Sequence, residues 1–459
     1  MTTHQFVSSD EIRTRFSRAM SAMYRQEVPQ YGTLLDIVHD INQQTLAASP
    51  QLKASLIATN ELTRLDVERH GAIRLGKASE LLTMRRVFQV MGMSPVGYYD
   101  LSVAGVPVHS TAFRPVTDEA LQRNPFRVFT SLLRLELVED QQLRQEAEAI
   151  LAQRDIFSAE LYALLDQAEQ DEGLNDADAD AFVLHAKKVF QWHSEATVSK
   201  ATYERLLKAH RLIADVVCFK GPHINHLTPR TLDIDAAQLE MPRRGMSPKE
   251  VIEGPPPRKH PILLRQTSFK ALEEPVLFTD DKQAGTHTAR FGEIEQRGMA
   301  LTPAGRALYD QLLDSVRDLG GAGSATSDYS ERLQAAFTAF PDDLAVLRAN
   351  ALAYFRYSIT DQVKLTQLAQ VQPDASIDVL IDAGAVTVSP IIYEDFLPVS
   401  AAGIFQSNLG GDEQKSYAAN ASRVQFETDM GGPVFDELAL YQQTQQASLD
   451  AVRLAFKSA

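Results

Sequence analysis

The stretch Cys218-Phe-Lys-Gly-Pro-His-Ile-Asn-His-Leu-Thr-Pro-Arg-Thr-Leu-Asp-Ile-Asp235 places two histidines, His223 and His226, between Pro222 and Pro229. Prolines on both sides argue against a continuous helix. Without a helix, a His-x-x-His spacing does not bring both rings to one face. On an extended backbone, residues three apart point to opposite faces of a sheet. At most one of the two is therefore expected to bind a metal directly. Spacing alone also allows a polar loop with two incidental histidines.

Working back from there, Leu65-Asp-Val-Glu-Arg-His-Gly-Ala-Ile-Arg-Leu-Gly76 sets His70 four residues before Arg74. Four is an even number of strand positions and about one helical turn, so the two share a face in either conformation. Gly71 and Gly76 favour the extended reading. An imidazole that binds metal beside a guanidinium suits an anionic oxo acid, because arginine can hold a carboxylate by two parallel hydrogen bonds. Working forward, Thr286-His-Thr-Ala-Arg-Phe-Gly-Glu-Ile-Glu-Gln-Arg-Gly298 puts Glu293, Glu295 and Arg297 on one face of an extended segment. Two carboxylates on one strand face are costly inside a protein unless a cation or hydrogen bonds compensate. An exposed strand face is the alternative. Two histidines and one carboxylate on separate strands form the facial triad that leaves positions open on non-haem iron(II), although spacing cannot establish it.

The rest of the 459 residues divides into helical and strand-rich stretches. Residues 1–65, 140–214 and 299–370 read as helical segments. Ser9 and Asp10 cap the first helix, and Pro303 starts another. Residues 93–101, 106–113, 126–137 and 261–272 read as strands. Pro242 to Pro261 reads as a loop, and Val386 to Leu409 as strand, turn and strand followed by a loop of small residues. From Asp436 the chain reads as helix.

A net charge of −15 argues against nucleic acid and anionic membrane as partners, while leaving room for an anionic small molecule held by a local arginine. One cysteine, Cys218, excludes an intrachain disulfide and a thiolate cage. The first residues carry no basic flank or apolar signal core, and no run approaches a membrane span, so a cytoplasmic location is expected. Phosphate loops, dinucleotide fingerprints, nucleophile elbows and His-Glu-x-x-His are absent from the sequence.

Four segments, Val67-Glu-Arg-His-Gly-Ala-Ile-Arg-Leu-Gly76, Gly221-Pro-His-Ile-Asn-His-Leu-Thr-Pro-Arg230, Arg290-Phe-Gly-Glu-Ile-Glu-Gln-Arg-Gly298 and Phe396-Leu-Pro-Val-Ser-Ala-Ala-Gly-Ile-Phe405, together resemble the 2-oxoadipate dioxygenase/decarboxylase family of the vicinal oxygen chelate superfamily. They occur in the same order, and the similarity runs over nearly the whole chain. The resemblance implies an α+β fold, a single elaborated domain over 1–459. Its curved central β-sheet would be built from βαβββ-type modules and carry extensive helical decorations. It implies Fe(2+) held by His70, His226 and a glutamate. That glutamate is taken as Glu293, with Glu295 in reserve because both face the same way. It also implies substrate contacts from His70, Arg74, His226, Val399 and Ser400, with Arg74 orienting the reactant. His223 and Glu295 would then support the ligands from behind. The implied reaction converts 2-oxoadipate and O2 to 2-hydroxyglutarate and CO2 in lysine breakdown, by intramolecular decarboxylation and then hydroxylation. The alternatives are another metal-dependent vicinal oxygen chelate enzyme, such as an isomerase or ring-cleaving dioxygenase, and a non-catalytic small-molecule binding protein. Oligomeric state is left open.

Overall fold

The computed structural model describes residues 6–280, 285–318, 326–397 and 420–459. Its strands are β1 (Arg69–Leu75), β2 (Ser94–Asp100), β3 (Val108–Arg114), β4 (Arg127–Leu133), β5 (Leu227–Pro229), β6 (Leu264–Ser268), β7 (Glu273–Val276), β8 (Gly285–Thr288), β9 (Glu293–Arg297), β10 (Phe355–Ile359) and β11 (Val386–Pro390). With many helices between them, these make a mixed α+β fold. No helix among the described residues is long and apolar enough to cross a membrane.

Between β1 and β4 the chain runs strand, helix (Ala78–Val90), strand, 3-10 turn (Leu101–Ala104), strand, short helix (Asp118–Arg123), strand. The first strand pairs parallel with the fourth, and β2, β3 and β4 pair antiparallel. β5 adds antiparallel to the other side of β1, giving the order β2-β3-β4-β1-β5. A parallel bridge from Arg230 to Glu295 continues this order to β9, which pairs with β6. All seven residues of β3 and of β4 are buried, as expected of strands covered on both faces.

The helix Ser9–Glu27 begins where the Ser8 hydroxyl accepts the Glu11 N–H at 3.2 Å, so the cap sits at Ser8 rather than at Ser9 or Asp10. Its buried face carries Ile12, Phe16, Met20 and Met23, the positions read from the sequence. Arg13 on the same helix is fully buried, yet its guanidinium donates to the backbone carbonyls of Met91, Asn124 and Ala120 and to Asp10. Those bonds offset the cost of burying its charge.

The described residues divide into two compact units. The first takes the chain to Glu253, then Gln266–Gln296 and Phe396–Phe435, and it contains the five-stranded sheet. The second takes Gly254–Arg265, Arg297–Asp395 and Asp436–Ala459. Within the second unit β10 pairs antiparallel with β11, and the side chains of Gln445 and Ser448 accept N–H groups of Phe355 and Tyr357. Those two contacts come from the helix Glu437–Lys457 and satisfy donors on β10.

Three local readings of the sequence change. Residues 299–370 are not helical throughout: Phe355–Ile359 is a strand with Phe355 and Tyr357 buried and Ser358 exposed, a period-2 pattern hidden between helices. Only one strand, Val386–Pro390, forms in the described part of 386–409. The loop expected from Pro242 begins after Arg243, because Pro242 is accommodated in the last turn of the helix Ile234–Arg243.

At Gly71 the segment leading into β5 packs directly against β1. A Cβ there would lie 2.4 Å from the Ile224 side chain and 2.8 Å from the His226 carbonyl oxygen. Gly71→Ala is expected to destabilise the protein by about 1–3 kcal/mol, the range for forcing an extra carbon into a packed interior. Urea unfolding checks this, and an unchanged midpoint at unchanged slope would remove the steric argument.

Candidate metal centre

Register places the central residues. His70 on β1 lies directly across from Arg127 on β4 and from Thr228 on β5. Counting back two residues on each strand from the Arg230–Glu295 bridge brings Thr228 level with Glu293. Four adjacent strands therefore contribute Arg127, His70, Thr228 and Glu293 to one row. His226, just before β5, completes the group, and all of these side chains are buried.

Within the row, His70 Nε2 is 2.9 Å from Glu293 Oε1. The same oxygen accepts the Thr228 hydroxyl at 3.0 Å and the Gln266 amide at 3.0 Å. His226 Nδ1 is 3.0 Å from the Thr228 hydroxyl and 3.7 Å from Glu293 Oε1. One donor atom from each of His70, His226 and Glu293 falls within 4.8 Å of the other two. Phe291 stacks on the His226 ring at 4.9 Å, and Phe396 meets the His70 ring edge-on at 5.0 Å.

The two carboxylates of β9, equivalent in the sequence, differ here. Glu295 receives Arg127 Nη2 on both oxygens, at 2.9 and 2.8 Å. Glu293 is hydrogen-bonded by formally neutral groups, and its Oε2 is buried with no partner among the described residues. Burial, and then the Glu295 charge, push the Glu293 carboxyl up to about 8. Burial also raises Glu295, against the pull of Arg127, to about 7. His70 is held well below its ordinary value by burial, Arg127 and His226, so its ring is kept neutral. The neutral His70 imidazole, the His226 ring and an under-compensated carboxylate form a donor set that a divalent cation satisfies. The residues present fit a metal.

Arg74 and His223 belong to a second buried cluster. Arg74 Nη1 is 2.6 Å from Asp215 Oδ2. Asp215 Oδ1 is 2.8 Å from His287 Nε2 and 3.0 Å from His223 Nε2. The sequence reading set His223 behind the metal ligands, and its contact here is instead to Asp215. The His223–His226 spacing thus sends the two rings to different clusters. Val399 and Ser400 lie outside the described residues.

Sequence reasoning missed Arg127, Thr228, Asp215, Gln266 and His287. A signal existed for two of them. Asp215 is a lone charge in the apolar run Ile213-Ala-Asp-Val-Val-Cys218, and Arg127 sits inside Phe126-Arg-Val-Phe129. A charge embedded in an apolar stretch has to be paired.

A buried group of two histidines and one glutamate on a mixed sheet marks the class as one with a metal-site candidate built from strand residues. The comparisons are specific. A family model for 2-oxoadipate dioxygenase/decarboxylase matches residues 16–408. A 2-oxoadipate dioxygenase/decarboxylase from Pseudomonas putida is 59% identical over 455 residues, 98% of each chain. One from Escherichia coli is 58% identical over 442 residues, covering 96% of this chain and 98% of its relative. The crystal structure of the hydroxyglutarate synthase from Pseudomonas putida in complex with 2-oxoadipate superposes with a TM-score of 0.92 at 57% identity, covering 98% of this chain and 99% of the other. The chain belongs to the 2-oxoadipate dioxygenase/decarboxylase family.

Arg127 is the cation that bonds both oxygens of Glu295, so removing it strands a buried carboxylate. Arg127→Met is expected to cost about 3–5 kcal/mol in chemical denaturation, and adding Glu295→Gln should recover most of it. A loss below about 1 kcal/mol would show that the pair carries no such weight.

Proposed function

We propose that this chain converts 2-oxoadipate and O2 to 2-hydroxyglutarate and CO2, using iron(II) held by His70, His226 and Glu293. The observation that carries the reading is the convergence of those three donors within 4.8 Å, with Glu293 Oε2 lacking a partner among the described residues. Membership of the family supplies the substrate and the reaction. The order of β1–β4, one helix after β1 and then three strands with a short helix before the last, together with the parallel pairing of the first and fourth strands, supports a vicinal oxygen chelate-like sheet as the scaffold.

The reaction balances without a further reductant. One oxygen atom of O2 enters the new carboxylate left by CO2 loss, and the other becomes the hydroxyl. Bound iron(II) supplies open positions where a 2-oxo acid and O2 meet, and the electrons that activate O2.

The protein's own groups orient and enclose the reactants. His70, kept neutral by burial, and His226 each present a ring nitrogen. Thr228 and Gln266 hold one oxygen of Glu293 and thereby aim the other. Arg127 keeps Glu295 on its own side of the row, so a single carboxylate is left for the metal. Phe291 and Phe396 cover the two histidine rings and limit water at the site.

Arg74 holds the substrate carboxylate remote from the metal. It shares a face of β1 with His70, and four strand residues separate their Cα atoms by about 13 Å. A diacid chain lying along the strand, with the long arginine side chain reaching back, bridges that interval. Val399 and Ser400 stay in the proposal as further substrate contacts.

The test joins metal analysis to oxygen uptake. Iron(II)-loaded protein should bind one metal per chain and consume one O2 for each 2-hydroxyglutarate formed. His70→Ala and Glu293→Ala should lose both metal and turnover. Glu295→Gln should keep the site and weaken metal binding about 10–100-fold, the usual cost of a lost supporting group. Full metal binding by Glu293→Ala would reject the ligand assignment. Stoichiometric metal without turnover would reject the substrate.

A further inference from the structure

The second buried cluster has no part in metal binding as described above. Its centre is Asp215, in the helix Arg211–Val217. One carboxylate oxygen takes Arg74 at 2.6 Å. The other takes His287 Nε2 at 2.8 Å. His287 Nδ1 is in turn 2.8 Å from the Tyr203 hydroxyl. His223 Nε2 lies 3.0 Å from the same Asp215 oxygen but off the line of a hydrogen bond.

An ionised Asp215 can only accept, so Nε2 of His287 donates to one of its oxygens and Arg74 Nη1 to the other. The Tyr203 hydroxyl holds His287 at the other ring nitrogen. The chain Tyr203, His287, Asp215, Arg74 is thus continuous, each link fixing the next. Trp192 lies parallel to the His287 ring at 10° and meets His223 edge-on at 4.7 Å, while Phe219 packs against His287 at 4.9 Å. Aromatic walls leave the carboxylate few ways to move.

We infer that Asp215, steadied by His287 and Tyr203, is a positioning residue that holds the Arg74 guanidinium ready for the remote carboxylate of a dicarboxylic 2-oxo acid. The inference rests on the proposed role of Arg74. A long arginine side chain loses rotamer freedom when it binds, and a fixed partner removes that freedom before substrate arrives. Asp215 accepts from Arg74 Nη1, one of the several N–H donors that the planar guanidinium carries. The effect is selectivity: a diacid benefits from the ordered arginine, and a monoacid of equal length does not.

Asp215, His223 and His287 also bring three donor atoms within 4.8 Å, which raises the question of a second metal. The geometry favours the positioning role, because Asp215 already carries a guanidinium at 2.6 Å. A cation placed on the same carboxylate would face that charge across a buried space.

The experiment compares 2-oxoadipate with 2-oxohexanoate, which lacks the remote carboxylate, in oxygen uptake and in anaerobic binding to the iron(II) protein. Asp215→Asn, close in size to the original, should weaken 2-oxoadipate binding and raise its KM about tenfold or more, with a smaller change in kcat. Constants for 2-oxohexanoate should stay within about twofold. In an Arg74→Met background, Asp215→Asn should add nothing, because both changes remove one interaction. Tyr203→Phe should shift the diacid constant in the same direction by less, and it gives a reading if Asp215→Asn folds poorly.

Equal losses for both acids, or additive losses in the Arg74→Met background, would overturn the inference in favour of a purely structural role. A fall from two metals per chain to one in Asp215→Asn would overturn it in favour of a second metal site. If Arg74→Met itself fails to separate the two acids, the error lies in the role given to Arg74.

Discussion

Glu293 and Glu295 project from one face of β9 into a buried space, and Arg127 from β4 engages only one of them. Most of the first unit's sheet can be understood as the means of holding this unequal pair. An isolated buried carboxylate is severely penalised, so each has to be compensated from outside its own strand. Arg127 can do so for Glu295 because β4 and β5 flank β1 on opposite sides and β9 follows β5. A shift of one residue in any of those pairings would turn the relevant side chain to the other face.

The same period of two sorts the residues of β1. His70 and Arg74 share a face and lead to different clusters, one beside Glu293 and one at Asp215. Gly71 faces the other way and has no side chain because Ile224 and the His226 carbonyl oxygen already occupy the space. The proline-flanked stretch around Ile224 then splits its histidines. His226 joins Glu293 and Thr228, and His223 joins Asp215. One strand and one short segment thus link both clusters.

This explains how far the sequence could be read. Periodicity is local, and it gave the shared face of His70 and Arg74, the shared face of Glu293 and Glu295, and the divergence of His223 and His226. The family resemblance gave the reaction class and pointed to His70, His226 and a glutamate. The choice between Glu293 and Glu295 could not be read, because it depends on Arg127, which is 168 residues from Glu295 along the chain. His287 was invisible for the same reason, its partner Asp215 lying 72 residues away. β10 was missed because five residues of alternation between helices carry too little signal against the helical pattern on either side.

The unequal treatment of the two glutamates also bears on which ion the site can accept. Had both been paired with arginine, the row would be electrically satisfied and a cation would have to displace a guanidinium to enter. Had neither been paired, two unscreened carboxylates would share one buried face and at least one would take up a proton. With Glu295 engaged and Glu293 not, the row offers an incoming cation one carboxylate and two imidazoles, and the cation displaces the proton that burial favours on Glu293. That set contributes a single negative charge, so a divalent ion keeps net positive charge after binding. Under the proposed function that residual charge would attract an anionic oxo acid, and Arg74, on the same face of β1 and oriented by Asp215, would meet the second carboxylate of a diacid. The pairing of Arg127 with Glu295 would in this way help set the charge that a diacid encounters.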